Sequence, residues 1–423
     1  MRSPGRADRI RQVAKLLRDA ERPVRILRTV AWPARLRDEF FASGESALPR
    51  PQYEPLDPSA TLALVAEARR LATADDDIDE WLRRQAWAIE LGARMLAAVG
   101  TREFTALSIE LYGEPSSFLN DQASTSLDLA RAFEHTLSDA NTMNLGPETE
   151  HTAEEIAQRV GKAVVRFFGP RAPEVHIVDE LSANALAQTG DIKLRRGARF
   201  TDRDAAQLVQ HEAFIHIATS LNGRDQIDLP ILGAGHPGTT RTQEGLAVFA
   251  EFISGAIDPD RLGRLADRVL AIQMAQDGAD FLDVYRWFLT QTAGNKDQAF
   301  ENTRRVFRGG TLTGGAPFTK DVVYLDGLLR VHNFLRAAVL SGRSDCLRLL
   351  FAGKLEIEDV PALCHLSEIG LLRPPTFLPP WAHDLRFLVA YLAYSGFLNS
   401  VDLGKIRAHY DALLADAPPV HFD

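Results

Sequence analysis

Two histidines flank a glutamate where the sequence reads His211-Glu212-Ala213-Phe214-Ile215-His216. A second glutamate follows in the segment Gln243-Glu244-Gly245-Leu246-Ala247. Two imidazoles and a carboxylate can hold a zinc ion whose open fourth position takes water, and a further glutamate can accept the proton of that water. These residue types therefore predict a catalytic zinc site.

The spacing of the two histidines departs from the common zinc motif. In H-E-x-x-H the histidines are four residues apart and lie about 40° apart on one helical face. Here they are five residues apart, which in an ideal α-helix rotates the second imidazole about 140° from the first. Either the helix contains a wide turn at Ala213 to Ile215 that absorbs one residue, or the histidines do not share a metal. Wide turns of this kind are rare and concentrate at functional sites.

The surrounding sequence predicts that the histidines lie in the middle of a helix. Thr201 and Asp204 have the spacing of a capping box, and an apolar-rich stretch over 205–221 ends at Asn222-Gly223. A lone histidine on such a helix is usually a hydrogen-bonded core residue. The pair, with a glutamate between its members, favours a metal site over that interpretation.

The second glutamate is predicted to lie in the first turn of another helix. Thr240 and Gln243 have a capping-box spacing, and this helix would run over 241–254. A glutamate in a first turn usually interacts with the helix dipole. Glu251, however, returns to nearly the same face as Glu244 after two turns. Glu251 is therefore a candidate partner of a ligating histidine, or a rival third ligand.

The two motifs together resemble those of a known family. The H-E-x-x-x-H spacing, the interval that follows it and the segment Thr242–Ala247 are similar to the microtubule-associated tyrosine carboxypeptidases and their bacterial relatives, which are identified by a QEGLA motif. The later segments Arg305–Gly310, Pro317–Asp321 and Tyr324-Leu325 also resemble this family. The resemblance covers about residues 150–345 well and the first 110 residues only loosely.

The resemblance implies a zinc peptidase with a zincin-like catalytic region. His211, His216 and Glu244 would be the zinc ligands, and Glu212 would be the general base and then the general acid. The implied substrate is the C-terminus of a peptide or protein. Eukaryotic relatives remove the C-terminal tyrosine of tubulin, but the metal motif by itself does not extend that substrate to this chain.

A zinc peptidase also needs groups that bind the charges of its substrate. The oxygen that becomes negative in a tetrahedral intermediate needs a donor, for which Tyr324 is the first candidate and His332 the second. A C-terminal carboxylate needs a fixed cation, and arginine suits it because the planar guanidinium binds two oxygens. The local cations, each of which could also be an ordinary surface charge, are Arg304, Arg305, Arg308 and Lys320.

Two loops of this region contain residues that bear on further sites. His236 lies in a glycine-rich loop close to Glu244 and could contact a substrate, although an exposed loop histidine is the simpler interpretation. The glycine-rich stretch over 309–315 lacks the G-K-[ST] ending of a phosphate-binding loop, so a nucleotide site is not predicted.

Composition is that of an ordinary soluble globular protein, with 423 residues, 45% hydrophobic and 25% charged. No stretch is apolar enough for a membrane span, and basic residues interrupt the N-terminus too often for a signal peptide. Cys346 and Cys364 have no metal-ligand spacing, which predicts free thiols in a reducing compartment. The sequence therefore predicts a cytoplasmic protein that does not bind nucleic acid; it leaves the oligomeric state open.

The first 37 residues are strongly basic. They contain eleven arginines and lysines against Asp8, Asp19 and Glu21, although the whole chain has a net charge of −9. Such a segment can bind nucleic acid, an anionic membrane or an acidic partner. The spacing of apolar residues such as Val13 and Leu17 predicts instead surface helices that pack on the body of the protein.

The remaining pattern predicts an α+β protein in which helices predominate. Apolar spacing predicts helices over 59–73, 76–98, 101–112, 125–139, 261–276, 281–292, 297–307 and 321–340. Alternation predicts strands over 174–178 and 191–195; the second could be an edge for an extended peptide or could close a small sheet. Linkers are predicted over 43–59 and 141–150, so that a helical N-terminal region (1–145) would precede a catalytic region (146–423) with a helical C-terminal part.

The resulting hypothesis is a zinc-dependent metallopeptidase, carboxypeptidase-type by resemblance, in which Glu212 activates a zinc-bound water for peptide hydrolysis. One alternative is a zinc hydrolase of a non-peptide amide, for which the carboxylate-binding cations would have no partner. Another is a non-catalytic, metal-stabilised regulatory protein. Glu212 argues against the latter, because a structural zinc site usually has a fourth protein ligand and needs no base.

Overall fold

Helices predominate in the computed structural model, which describes residues 5–140, 149–179, 181, 184–187 and 190–415. In the first part of the chain the α-helices are α1 (Arg6–Glu21), α2 (Ile26–Thr29), α3 (Arg35–Ala42), α4 (Ser59–Leu71), α5 (Asp77–Ala97), α6 (Arg102–Tyr112), α7 (Ser126–Ala140) and α8 (Ala153–Phe168). They continue as α9 (Asp202–Gln207), α10 (Ala218–Arg224), α11 (Thr240–Ile253), α12 (Pro259–Gln276), α13 (Phe281–Gln291), α14 (Lys296–Phe307), α15 (Val323–Leu340), α16 (Val360–Glu368), α17 (Pro380–His383), α18 (Leu385–Leu398) and α19 (Leu403–Leu414).

The predicted fold class, α+β with predominant helix, is confirmed. The eight helices predicted outside the metal motifs begin and end within about two residues of the predicted bounds. In the described part of the chain, no helix is both long and apolar enough to cross a lipid bilayer. Cys346 and Cys364 are free thiols, as predicted. The zincin-like architecture of the catalytic region and the cytoplasmic location of the protein stay predictions.

The small sheet has three strands, β1 (Glu174–Val178), β2 (Ala185–Ala187) and β3 (Asp191–Arg195). Their order is β1-β3-β2, with β1 parallel and β2 antiparallel to β3. Both sides of β3 are therefore paired, so the expectation that this strand offers an edge to a peptide is wrong. The alternative, a strand that closes a small sheet, is what the structure contains. Strand β2 was not predicted, because three residues are too few for a recognisable alternation.

The sheet supports the helix that carries the histidines. Ile192 and Leu194 of β3 are fully buried and belong to one apolar cluster with α8 and with the apolar residues beside the histidines. Phe214 and Ile217 contribute to this cluster from the other side. The region around the metal motif is thus packed on the sheet, which fixes its position.

The basic N-terminal segment packs on the body of the protein, as its apolar spacing predicts. Ile10, Val13 and Leu17 of α1 are fully buried in a core that also contains Leu246 of α11 and Val331 of α15. Helices from both sides of the predicted domain division therefore share one core. The division itself, between residues 145 and 146, falls outside the described residues, as does most of the linker predicted there, and it stays a prediction.

Helices α11 and α15 touch through their backbones at a pair of glycines. A Cβ atom on Gly245 would lie 2.2 Å from the carbonyl carbon of Gly327, and one on Gly327 would lie 2.3 Å from the carbonyl oxygen of Arg241. Any side chain at Gly245 would therefore push the two helices apart. Because Glu244 is the preceding residue, this contact also fixes the position of its carboxylate.

Gly245→Ala is expected to destabilise the protein by about 1–3 kcal/mol, since the added methyl group overpacks a backbone contact. A matched control is Gly263→Ala in α12, where an added Cβ meets no heavy atom within 4 Å among the described residues. That substitution is expected to stabilise by up to about 1 kcal/mol, because alanine is the better helix former. Chemical denaturation of both variants measures the difference, and equal effects would contradict the close crossing.

Candidate metal centre

The helix with both histidines changes its winding where they lie. Helix α9, a π-helix over Leu208–Ile217 and helix α10 form one continuous run, here called the histidine helix. Hydrogen bonds in a π-helix run from residue i to residue i+5, so residues five apart come to the same face. Of the two alternatives that the spacing left open, the structure contains the wide turn, which extends well beyond Ala213 to Ile215.

The start of the histidine helix is also as predicted. The Thr201 hydroxyl accepts a hydrogen bond from the Asp204 backbone N–H at 3.1 Å, and the Asp204 carboxylate accepts one from the Thr201 N–H at 2.8 Å. At its other end, the amide of Asn222 donates to the carbonyl oxygens of Phe351 and Phe377, each at 2.8 Å. Both ends of the helix are thus held in place.

His211, His216 and Glu244 lie together, with one potential ligand atom each within 4.8 Å of the others. The Nε2 atoms of the two histidines are 3.2 Å apart. Oε2 of Glu244 lies 3.6 Å from Nε2 of His211 and 3.4 Å from Nε2 of His216. Tetrahedral zinc with ligands at about 2.0–2.1 Å separates neighbouring ligand atoms by roughly 3.3–3.4 Å. The separations of the three ligand atoms are therefore close to those around a tetrahedral zinc ion.

Glu251 lies on the other nitrogen of the His211 ring. Its Oε1 atom is 2.5 Å from Nδ1 of His211, and its carboxylate accepts hydrogen bonds from Arg261 at 3.0 Å and Gln207 at 2.7 Å. Such a partner fixes the tautomer and the orientation of a ligating imidazole. Of the two roles weighed for Glu251, this geometry favours the histidine partner over the third ligand.

The cluster contains ionisable groups whose pKa values are shifted by burial and by one another. Burial disfavours the charged form of His211, but Glu244 and Glu251 outweigh it and raise its pKa to about 10. Burial lowers the pKa of His216. Burial would raise the pKa of Glu244, yet Lys320 and the two histidines hold it well below its usual value. A charged carboxylate thus faces one protonated and one neutral imidazole, and a metal ion would take the place of the proton.

Lys320 and Glu244 form a buried ion pair, with Nζ 3.2 Å from Oε1. Lys320 is only 7% exposed. Because the pair uses Oε1, the second oxygen of Glu244 remains directed at the two histidines. Lys320 therefore positions the carboxylate as well as balancing its charge.

The helix with Glu244 is capped by a residue that sequence analysis missed. Helix α11 begins at Thr240 without a side-chain cap from Thr239, so the capping box predicted at Thr240 and Gln243 is wrong. The carboxylate of Glu356 instead accepts hydrogen bonds from the N–H groups of Arg241 and Thr242 at 3.1 and 3.2 Å. No local signal could have revealed this cap, because Glu356 is more than 100 residues away along the chain.

Gln243 has a different role, which is to hold Lys354. Its Oε1 atom accepts hydrogen bonds from Nζ of Lys354 at 3.0 Å and from the hydroxyl of Thr219 at 2.8 Å. Lys354 also donates to the carbonyl oxygen of His216 at 2.9 Å. Burial lowers the pKa of Lys354 to about 8, against the opposing effect of Glu244 and Glu212. Lys354 is not recognisable from the sequence, because nothing in its own segment indicates a site.

Glu212 lies beside the cluster without being part of it. Its Oε1 atom is 4.0 Å from Nε2 of His211, and its side chain is 30% exposed. A cavity of about 340 Å³ opens next to the cluster and is lined by His216, Glu244, Lys320 and Lys354. A substrate in this cavity would reach the metal ligands directly.

His236 also lines this cavity, and the expectation that it is an exposed loop residue is wrong. It is 3% exposed, and among the described residues neither of its ring nitrogens has a hydrogen-bond partner. Its loop is packed tightly against α5, since a Cβ on Gly238 would lie 2.5 Å from that of Ala88. Burial and the charge of Arg18 lower the pKa of His236 to about 4, so the ring is neutral at physiological pH.

The arginines predicted to bind a carboxylate differ in their partners. Arg305 is paired with Asp321 through two hydrogen bonds of 2.6 and 3.0 Å. Arg304 forms an ion pair with Glu301. Arg308 lies over the ring of Phe318 at 5.9 Å, and burial together with Arg305 lowers its pKa to about 10. Two of these three cations are therefore already neutralised within the protein.

Tyr324 and His332, the candidate oxyanion donors, have different neighbours. The ring of Tyr324 is 5.3 Å from Nζ of Lys320, which itself contacts Glu244. His332 packs on Phe249 and lies 3.5 Å from the hydroxyl of Tyr391, and neither contact involves the metal cluster. Their roles in substrate binding stay predictions.

Glu251→Gln is expected to weaken zinc binding about 10- to 100-fold, because partners of ligating histidines contribute this much to affinity. The amide can still hydrogen-bond to Nδ1 of His211, but it no longer raises the basicity of the ring. Gln207→Ala is the matched control, since it removes one neutral hydrogen bond to the same carboxylate and should change affinity far less. Competition with a chromogenic chelator measures both, and an unchanged affinity in Glu251→Gln would contradict the assigned role.

Zinc binding at pH 8 is expected to release about one proton, because ligands must be deprotonated. In the metal-free protein the pKa of His211 is raised to about 10, so His211 is protonated at pH 8 and the proton competes with the metal. Apparent affinity should therefore rise with pH and level off above about 10. Titration calorimetry in buffers of different ionisation enthalpy counts the protons, and a count near zero would show that His211 is neutral before zinc binds.

The fold and the cluster define a predominantly helical α+β protein in which two histidines and a glutamate lie together, with His216 and Glu244 lining a cavity. A family model described as microtubule-associated tyrosine carboxypeptidase matches residues 38–400. The chain therefore belongs to this family, and the match is wider than the motifs alone indicated. Membership implies carboxypeptidase-type activity on a peptide or protein. A comparison with curated proteins finds no match.

Proposed function

We propose that the chain is a zinc-dependent carboxypeptidase with His211, His216 and Glu244 as its metal ligands. The observation that carries this proposal is the triangle of ligand atoms, whose sides of 3.2, 3.4 and 3.6 Å match those of a tetrahedral zinc site. The π-helix supports it, because this winding brings together two histidines that an α-helix would separate.

Zinc in such a site supplies Lewis-acid activation of water and of the scissile carbonyl. Glu212, adjacent to the ligands but separate from them, accepts the proton of the attacking water and returns it to the leaving amine. Glu251 holds His211 in the tautomer that leaves Nε2 free. Lys320 keeps Glu244 oriented and balances its charge, which maintains the carboxylate in its ionised form.

The composition of the cluster favours a catalytic site over a structural one. Structural zinc sites usually complete their coordination with a fourth protein side chain. Among the described residues, the cluster contains three such side chains, and the cavity lies beside them. Membership of a carboxypeptidase family also favours a peptide over a non-peptide amide as the substrate.

The proposal is tested by digestion of a peptide library with zinc-loaded protein, followed by mass spectrometry. Each peptide is supplied with a free C-terminal carboxylate and, as the matched control, with a C-terminal amide. We expect removal of the C-terminal residue from free-acid peptides and little cleavage of the amides. Internal cleavage of both forms would contradict the carboxypeptidase assignment, and no cleavage by zinc-loaded protein would contradict peptidase activity on these peptides.

A further inference from the structure

Lys354 places an ammonium group beside the metal cluster, from a loop far away in sequence. The loop is pressed against the backbone near the end of the histidine helix: a Cβ on Gly353 would lie 2.6 Å from the carbonyl oxygen of Leu232 and 3.2 Å from the Cα of Gly223. The N–H of Lys354 donates to that same oxygen at 2.7 Å. These contacts fix the backbone of Lys354, and the hydrogen bonds from Nζ to His216 and Gln243 hold the side chain, which gives the rigidity that a binding group requires.

The charge of Lys354 has no direct counterion. Its Nζ donates to two neutral acceptors, the carbonyl oxygen of His216 and the amide oxygen of Gln243. Among the residues that the structure describes, no carboxylate forms an ion pair with it, whereas Lys320 and Arg305 each have one. A partly desolvated ammonium that lacks a counterion is costly, and a ligand with a negative charge would offset that cost.

One of the three N–H groups of the Lys354 ammonium has no acceptor among the described residues. An ammonium group carries three N–H donors, and two of those of Lys354 are used within the protein. The residue lines the cavity beside His216 and Glu244. The third donor is therefore available to a group bound in the cavity next to the metal ligands.

We propose that Lys354 binds the C-terminal carboxylate of the substrate. The inference rests on the proposed carboxypeptidase function and assigns to that site a residue that the motifs do not contain. A charge-assisted hydrogen bond from a fixed ammonium selects a free carboxylate over an amide or an internal peptide bond. Arg304 and Arg305, by contrast, are already paired with Glu301 and Asp321.

The test measures binding without turnover. Zinc-loaded Glu212→Gln protein is titrated with one fluorescent peptide that carries either a free C-terminal carboxylate or a C-terminal amide. We expect the free acid to bind about 10- to 100-fold more tightly, as removal of a hydrogen bond to a charged group predicts. Adding Lys354→Met should reduce this preference to less than about threefold, and Lys354→Arg should restore part of it.

Arg308→Met is the matched control, because Arg308 is a half-buried cation that the sequence offered as a carboxylate anchor but is not among the residues that line the cavity. It should leave the preference unchanged. Zinc content is measured in every variant, since Lys354 also contacts the carbonyl of His216. A purely structural role would weaken zinc or both peptides equally and would leave the ratio intact, which overturns the proposal.

The outcomes separate this inference from the proposed function. A preference for the free acid that persists in Lys354→Met, or that disappears in Arg308→Met, overturns the role of Lys354 and leaves the carboxypeptidase assignment standing. If the Glu212→Gln protein itself binds acid and amide equally, or binds neither, both proposals fail together. Loss of the preference in Lys354→Met alone, with zinc retained, is the result that we expect.

Discussion

Glu212→Gln is expected to abolish peptide cleavage while the protein keeps its zinc. General acid–base catalysis by a positioned side chain contributes about 10²- to 10⁴-fold to the rate, so turnover should fall by that amount or more. The amide has the size and shape of the carboxylate, but it cannot accept the proton of the attacking water. Because Glu212 lies beside the ligand triangle rather than in it, zinc content should remain about one per chain.

The experiment combines turnover of a cleavable peptide with elemental analysis of the same preparation. Retained zinc with lost turnover would support the assignment of Glu212 as base. Full turnover in Glu212→Gln would require another base, and loss of zinc would make Glu212 a ligand. Either result would contradict the proposed roles of Glu212 as general base and Glu244 as metal ligand.

Glu244→Ala is expected to lose nearly all of its zinc. Two imidazoles would remain as ligands, whereas catalytic zinc sites have three protein ligands. The substitution also leaves Lys320 buried without its carboxylate partner, which should lower stability, since breaking a buried pair is costly. Zinc per chain after dialysis should therefore fall from about one to near zero.

Glu244→Gln separates these two effects, because it keeps the shape of the side chain and a hydrogen-bond acceptor for Lys320 while removing the charge. It should fold better than the alanine variant and still bind zinc weakly. Glu358→Ala, at an exposed position, is the control and should retain the zinc content of the unmodified protein. Full zinc in both Glu244 variants would show that the ion is held elsewhere.

The candidate site could be predicted from local sequence to a large extent. His211, His216 and Glu244 were recognisable as candidate ligands from residue types and from the resemblance, and a wide turn was one of the two alternatives that the five-residue spacing left open. Glu251 could be predicted because seven residues return a helix to nearly the same face. The proximity of these side chains could be predicted because each contact depends on helical geometry within one or two neighbouring segments.

What could not be predicted depends on contacts between distant segments. Lys354 and Glu356 reach the site from a loop more than 100 residues after the second motif, and no local pattern marks them. The burial of His236 results from packing of its loop on α5. The central position of β3 depends on β2, which is too short to be recognised. Tertiary contacts of this kind override the exposure and capping that a single segment suggests.

Anomalous diffraction would test the proposed zinc site most directly, because it locates the metal ion. Crystals of the zinc-loaded protein, measured on both sides of the zinc absorption edge, would give an anomalous difference map. We expect one strong peak at about 2.0–2.1 Å from Nε2 of His211 and Nε2 of His216, with Glu244 as the third protein ligand. A peak at another site, or a fourth protein side chain coordinated to the ion, would contradict a catalytic zinc centre at these three residues.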